Sequence, residues 1–77
     1  MKHLQKEQLD FLNWVLNNFD LPTTAIYKVK GIVRHKKYGD TQVGILNNIR
    51  EIYGGAWRTE KKRQGIEYLR GEVKLYL

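Results

Sequence analysis

Cysteine is absent from the 77-residue chain, and proline, methionine and histidine occur once, once and twice. Without cysteine the chain can form no disulfide, offers no thiolate ligand for zinc and has no cysteine nucleophile. A reducing, cytoplasmic location fits this composition. Stability has to come from one small hydrophobic core, so we predict that residues 1–77 form a single domain.

Long apolar runs are also missing, and no segment approaches the roughly 20 residues that span a bilayer. The first residues lack the uninterrupted apolar stretch of a signal peptide. The sequence thus predicts a soluble protein that does not contact a membrane. Its hydrophobic content of 42% and aromatic content of 12% exceed those of a disordered chain, so we expect it to fold.

Residue patterns that support catalysis are missing as well. Neither His3 nor His35 has a carboxylate or hydroxyl partner close to it in the sequence, and the acidic residues are dispersed. The motifs of zinc metalloproteases, P-loop nucleotide-binding proteins and serine hydrolases do not occur. We therefore expect a protein that is not an enzyme and that holds neither a cofactor nor a metal ion.

Positive charge is the most prominent feature that the sequence does have. Lysine and arginine number 14 against 8 acidic residues, which gives a formal charge of +6. Residues 28–37 carry five cations and no acid, and residues 58–63 carry four cations and one acid. Concentrated like charge repels itself unless solvent or an anionic partner relieves it. The two clusters indicate either a solvated surface or a surface that binds an anionic partner.

Apolar spacing predicts three helices. The first covers residues 3–19, and the second follows Pro22 over residues 24–37. The β-branched residues of the second segment leave a strand over Ile26–Lys30 as its alternative. The third helix covers residues 41–53 and ends at Gly54-Gly55; its predicted inward-facing residues are Ile45, Leu46, Ile49, Ile52 and Tyr53.

The segments between and after these helices predict a turn and a hairpin. Gly39 suits a C-terminal cap and Asp40-Thr41 an N-terminal cap, which favours a tight helix–turn–helix junction. A C-terminal β-hairpin could turn at Arg70-Gly71. A turn at residues 63–65 would instead pair residues 57–61 with residues 66–70.

The predicted fold is therefore a small α+β single domain with three helices, a helix–turn–helix and a C-terminal β-hairpin; an all-α four-helix fold is the alternative. Over about residues 24–70 this order of elements resembles the architecture of a winged helix–turn–helix domain, with the second basic cluster at the tip of the wing.

This architecture favours DNA binding. Polar side chains on the outer face of the third helix can reach base edges in a major groove, and the basic clusters can neutralise phosphates on either side. We therefore predict a small transcriptional or replication accessory regulator that binds duplex DNA as a monomer or homodimer. The predicted contact residues are Lys28, Lys30, Arg34, Lys36, Lys37, Thr41, Gln42, Asn47, Arg50, Arg58, Lys61, Lys62 and Arg63.

A protein partner is the alternative hypothesis. The chain could be an inhibitor or modulator that binds an acidic surface of a larger nucleic-acid-handling protein, with aromatic side chains as anchors. The candidate anchors are Trp14, Tyr38, Trp57 and Tyr68. A composition rich in lysine, asparagine, isoleucine and tyrosine suggests an AT-rich genome, which is compatible with a phage or mobile-element product.

Overall fold

The computed structural model describes residues 1–65, which form three α-helices and a two-stranded antiparallel sheet. The elements are β1 (Lys2–His3), α1 (Lys6–Asn18), α2 (Thr23–His35), β2 (Lys37–Tyr38) and α3 (Val43–Arg63), with a 3-10 turn at Asp40–Gln42 before α3. The described part is thus mostly helical with a small sheet, consistent with a small α+β domain. The predicted turn at Arg70-Gly71 and the strands around it lie outside the described residues.

α1 begins later than the sequence predicted. The backbone N–H of Gln5 donates a hydrogen bond to Oε1 of Gln8 at 2.7 Å, which satisfies a donor at the start of the helix. His3, which was predicted to begin this helix, instead pairs with Lys37 of β2, and Lys2 pairs with Tyr38. This pairing joins the N-terminus to the segment that follows α2.

α2 confirms the predicted helix and excludes the alternative strand over Ile26–Lys30, although the helix ends at His35 and not at residue 37. It begins directly after Pro22, whose fixed φ is compatible with the position before a helix. Val29 and Ile32 are buried on its inner side. Burial of this stripe outweighs the weak helix propensity of the β-branched residues and of Gly31.

The junction between α2 and α3 differs from the predicted one in the residue that caps α2. Four residues, 36–39, separate α2 from the 3-10 turn at Asp40–Gln42, which leads directly into α3. The left-handed residue that ends α2 is Lys36 (φ 56°, ψ 31°), and Gly39 is extended. Lys36 reverses the chain so that its carbonyl accepts a hydrogen bond from the N–H of Leu4 at 2.9 Å and β2 pairs with β1.

α3 continues through Gly54-Gly55, where the sequence predicted its end. The predicted pairing of residues 57–61 with residues 66–70 is therefore wrong, since residues 57–61 are helical. The winged helix–turn–helix architecture is not confirmed. The continuation of α3 is explained by Trp57, which is only 3% exposed. Its ring centroid lies 5.8 Å from that of Phe11 and 5.3 Å from that of Trp14. Burying this side chain favours continuation of the helix across the glycines.

The core joins all three helices. Trp14 extends it through Phe19, which lies 5.3 Å away, and Phe19 in turn lies 4.5 Å from Tyr53, both measured between ring centroids. Ile52, predicted to face inward, is 62% exposed. The face of α3 that packs into the core carries Leu46, Ile49 and Trp57, and Ile52 does not belong to it. The buried side chains are Phe11, Leu12, Val15, Leu21, Val29, Ile32, Tyr38, Leu46, Ile49 and Trp57.

Replacing Trp57 should test whether this helix extension is anchored by the core. We expect Trp57→Ala to lower the free energy of unfolding by about 3–5 kcal/mol, because a large buried aromatic side chain is lost. Trp57→Phe should keep the fold with a smaller loss, and Ile52→Ala, at an exposed position, should change stability by no more than about 0.5 kcal/mol. Denaturant unfolding followed by circular dichroism measures all three. Equal losses for Trp57→Ala and Ile52→Ala would contradict the placement of Trp57.

Lys36 supplies a second stability prediction. Its left-handed backbone disfavours a residue with a Cβ atom, so Lys36→Gly should raise the free energy of unfolding by about 0.5–1 kcal/mol. Lys37→Gly is the matched control, since Lys37 is equally exposed but extended in β2; this variant should be less stable than the native chain. Thermal unfolding separates the two, and stabilisation by the control alone would contradict the assigned backbone.

Candidate nucleic-acid interface

The first basic cluster forms an exposed surface on α2 and the residues that follow it. None of its five cations makes an ion pair with another described residue. On α2, Lys30 and Arg34 lie on one face because they are four residues apart. We call this cluster the α2 basic surface; it consists of Lys28, Lys30, Arg34, Lys36 and Lys37, all exposed.

An aromatic side chain belongs to the same surface. Tyr27 is 73% exposed and precedes Lys30 by three residues, which places the two on one face of α2. Gly31 follows Tyr27 by one helical turn. The space at Gly31 is open, since an added Cβ atom there would meet no described atom within 4 Å. Tyr27 was not among the contact residues predicted from the sequence. Its exposure follows from its place on α2, on a side of the helix away from the buried Val29 and Ile32.

The polar residues predicted to read bases are only partly available. Oε1 of Gln42 accepts a hydrogen bond from the N–H of Gly39 at 2.6 Å, so this oxygen is used to cap the turn before α3. Asn47 is half-buried, and its Oδ1 is enclosed without a hydrogen-bond partner among the described residues. Thr41 and Asn48 are exposed. The N-terminal half of α3 thus presents fewer free hydrogen-bonding groups than its sequence suggested.

The second basic cluster lies on the last turns of α3 and not at the tip of a hairpin. Lys61 places its Nζ 4.3 Å from the ring centroid of Trp57, a cation–π contact. Arg63 forms an ion pair with Glu60, with 2.7 Å between Nη2 and Oε1. Cations at a helix C-terminus also stabilise the helix dipole. Lys61 and Arg63 therefore support the fold, whereas Arg58 and Lys62 have no such contact with a described residue.

The contact with Arg63 changes the charge behaviour of Glu60. Hydrogen bonds from Arg63 and then from Gln64 lower the pKa of the Glu60 carboxyl, and the same pair raises the pKa of the Arg63 guanidinium. The Nε2 of Gln64 lies 3.0 Å from Oε1 of Glu60. The sole acid of the second cluster is thus held in its charged form and neutralises Arg63.

An open cleft lies beside the middle of α3. We call it the α3 cleft; its volume is about 280 Å³ and its lining residues are Arg50, Gly54, Gly55 and Arg58. The structure thereby brings together two predicted contact residues: Arg50, which lies outside the basic clusters, and Arg58, which belongs to the second cluster. The glycines were interpreted as a helix end, yet the spacing of arginine, glycine and arginine at positions 50, 54 and 58 would place them on one helix face.

The aromatic anchors named for a protein partner are largely enclosed. Trp57 and Tyr38 are buried at 3% and 4% exposure. Trp14 is half-buried between Phe19 and Trp57. Tyr68 lies outside the described residues. In the described part of the chain, Tyr27 is the exposed aromatic residue that such an interface could use.

Comparison with known proteins assigns no family: no family model, no curated protein and no solved structure matches the chain. Within residues 1–65 no group of histidine and acidic side chains could hold a metal ion. No helix in that range combines the length and the apolar character needed to cross a bilayer. The function has to be inferred from the basic surfaces themselves.

The Glu60–Arg63 contact predicts a pH effect. Because the folded-state pKa of Glu60 is lowered, its stabilising contribution is present above the unfolded pKa of about 4.3 and is lost as the pH falls through the folded value. In an NMR titration of the Glu60 carboxyl carbon, we expect a lower midpoint in the native protein than in Arg63→Gln. Arg63→Lys should give an intermediate midpoint, since it keeps the charge and loses the forked hydrogen bonds. Identical midpoints in all three would contradict the contact.

Proposed function

We propose that the protein binds duplex DNA chiefly through backbone phosphates, and the observation that carries this proposal is the unpaired charge of the α2 basic surface. Its five cations are exposed and have no acidic partner among the described residues. Such a surface attracts a polyanion, and its binding releases the counterions that are condensed on the polyanion. Phosphate contacts of this kind supply affinity and orientation without sequence information.

α3 contributes to the same activity in two ways. Arg50, Arg58 and Lys62 add cations that no described acid neutralises. Thr41, in the 3-10 turn before α3, and Asn48, on its N-terminal half, are exposed and can donate or accept hydrogen bonds at a base edge or a phosphate. Since Gln42 and Asn47 are partly engaged or enclosed, we propose modest sequence preference. A role as an accessory factor in transcription or replication fits binding of this kind.

Binding of an acidic protein surface is the second candidate. Tyr27 favours it, because an exposed tyrosine among cations is a common element of protein interfaces. The buried positions of Trp57 and Tyr38 weigh against it, since they remove two of its proposed anchors. Polyglutamate provides a simple comparison with DNA, because it offers negative charge on a polypeptide without phosphates.

The test measures binding of a random duplex, a single strand and polyglutamate across salt concentrations by fluorescence anisotropy. We expect duplex affinity to fall by orders of magnitude between low and moderate salt, as several phosphate contacts imply. Lys30→Gln should reduce the salt slope by about 1, whereas the matched variant Lys6→Gln, on the exposed side of α1, should leave it unchanged.

Salt-insensitive duplex binding, or no binding at low salt, would overturn the proposal. Polyglutamate binding as tight as duplex binding would support the acidic protein partner instead. Equal effects of Lys30→Gln and Lys6→Gln would show that net charge alone, and not the α2 basic surface, determines the affinity.

A further inference from the structure

Two adjacent glycines interrupt the middle of the longest described helix without a structural reason. Glycine is the least favourable residue in a helix interior apart from proline. Neither Gly54 nor Gly55 has a positive φ. A Cβ atom at Gly55 would meet no described atom within 4 Å, and one at Gly54 would meet only Cγ of Arg50 at 3.6 Å, an ordinary van der Waals distance. Alanine would therefore fit both positions and favour the helix.

The glycines do have an effect on shape, because they leave the floor of the α3 cleft open. Arg50 lies against Gly54 at one end of the cleft. Side chains of helical residues lean toward the helix N-terminus, so Arg58 leans over the turn that contains the two glycines. Arg50 and Arg58 thus line an opening at which the backbone of α3 is exposed.

The charge in the cleft is available for a ligand. Arg50 and Arg58 make no hydrogen bond or ion pair with a described residue, in contrast to Arg63, whose guanidinium is bound to Glu60. Glu51 is an acid of the same helix that precedes Gly54 and Gly55 by three and four residues, a spacing that places it on a neighbouring part of the helix surface. It is exposed and has no ion pair with a described residue.

We propose that the α3 cleft seats a phosphate group held by the forks of Arg50 and Arg58, with Gly54 and Gly55 allowing its close approach to the helix. Guanidinium groups bind phosphate oxygens through paired hydrogen bonds. The cleft is open and lined by four residues of one helix, so it suits one phosphate and not a nucleotide cofactor, which takes a more enclosed pocket. In its form for DNA, where the group is a backbone phosphate, this inference rests on the proposed function.

The first measurement separates binding from folding. Gly54→Ala and Gly55→Ala should each raise the melting temperature, by about 4 °C or more, and should each weaken phosphate binding. Gly44→Ala is the matched control, since it lies in the same helix with equally open space above it but outside the cleft. It should raise the melting temperature and leave phosphate binding unchanged.

Phosphate binding is measured with inorganic phosphate in an NMR titration against chloride at matched ionic strength. We expect saturable shifts of the amide signals of residues 50–58 in the native chain. The dissociation constant should be at least fivefold larger in the double variant Gly54→Ala/Gly55→Ala and in Arg58→Gln. Glu51→Gln should bind more tightly, because it removes a negative charge one helical turn from Gly54 and Gly55. Shifts that spread over all basic residues, or a dissociation constant that is unchanged in the double glycine variant, would overturn the inference.

A parallel titration with duplex DNA identifies the source of the phosphate and separates this inference from the proposed function. If the native chain binds DNA and the double glycine variant binds it several-fold more weakly despite its higher melting temperature, the seated group is a backbone phosphate. If both bind DNA equally, the inference for DNA fails while the proposed function stands. If inorganic phosphate saturates the cleft and DNA does not bind, the proposed function fails and the site serves a free phosphate compound.

Discussion

The packing of Trp57 against Phe11 and Trp14 is the interaction on which the rest of the structure depends. It fixes the C-terminal half of α3 to α1, with ring centroids 5.8 and 5.3 Å apart. Because Trp57 is buried, the chain stays helical through Gly54-Gly55 and the second basic cluster lies on the last turns of α3. The same contact orders the helix on which the α3 cleft lies. A local preference for a turn is outweighed by burial of one large aromatic side chain.

The hydrophobic spacing of the sequence predicted the three helices and most of the core. Phe11, Val15 and Leu46 are buried as their periodicity indicated. The end of α3 was mispredicted because glycine pairs usually break helices, and the energy that overrides this preference comes from Phe11 and Trp14, more than 40 positions away in the sequence. The spacing of residues within one segment does not indicate a contact with a residue so far away in the sequence.

The junction between α2 and α3 was mispredicted for a related reason. Gly39 is the residue that local preferences select for a left-handed cap, yet Lys36 adopts that conformation. The reversal at Lys36 brings β2 to Lys2–His3, and the N–H of Leu4 reaches the Lys36 carbonyl. The pairing of β1 with β2 joins only two residues of each strand, and His3 and Lys37 are 34 positions apart. Such a short pairing has no recognisable sequence pattern, although it determines where the chain turns.

The cations that stabilise the fold differ from those on which the proposed interface rests. Lys61 contacts the ring of Trp57 and Arg63 forms an ion pair with Glu60, so both side chains stabilise the fold and the charge of Arg63 is neutralised within it. Arg58, in the same cluster, and the α2 basic surface have no such internal partner among the described residues. An exposed cation without a partner contributes little to stability, so its concentration on two surfaces needs another explanation. Attraction of a polyanion supplies one, because the affinity of such surfaces increases with each phosphate neutralised.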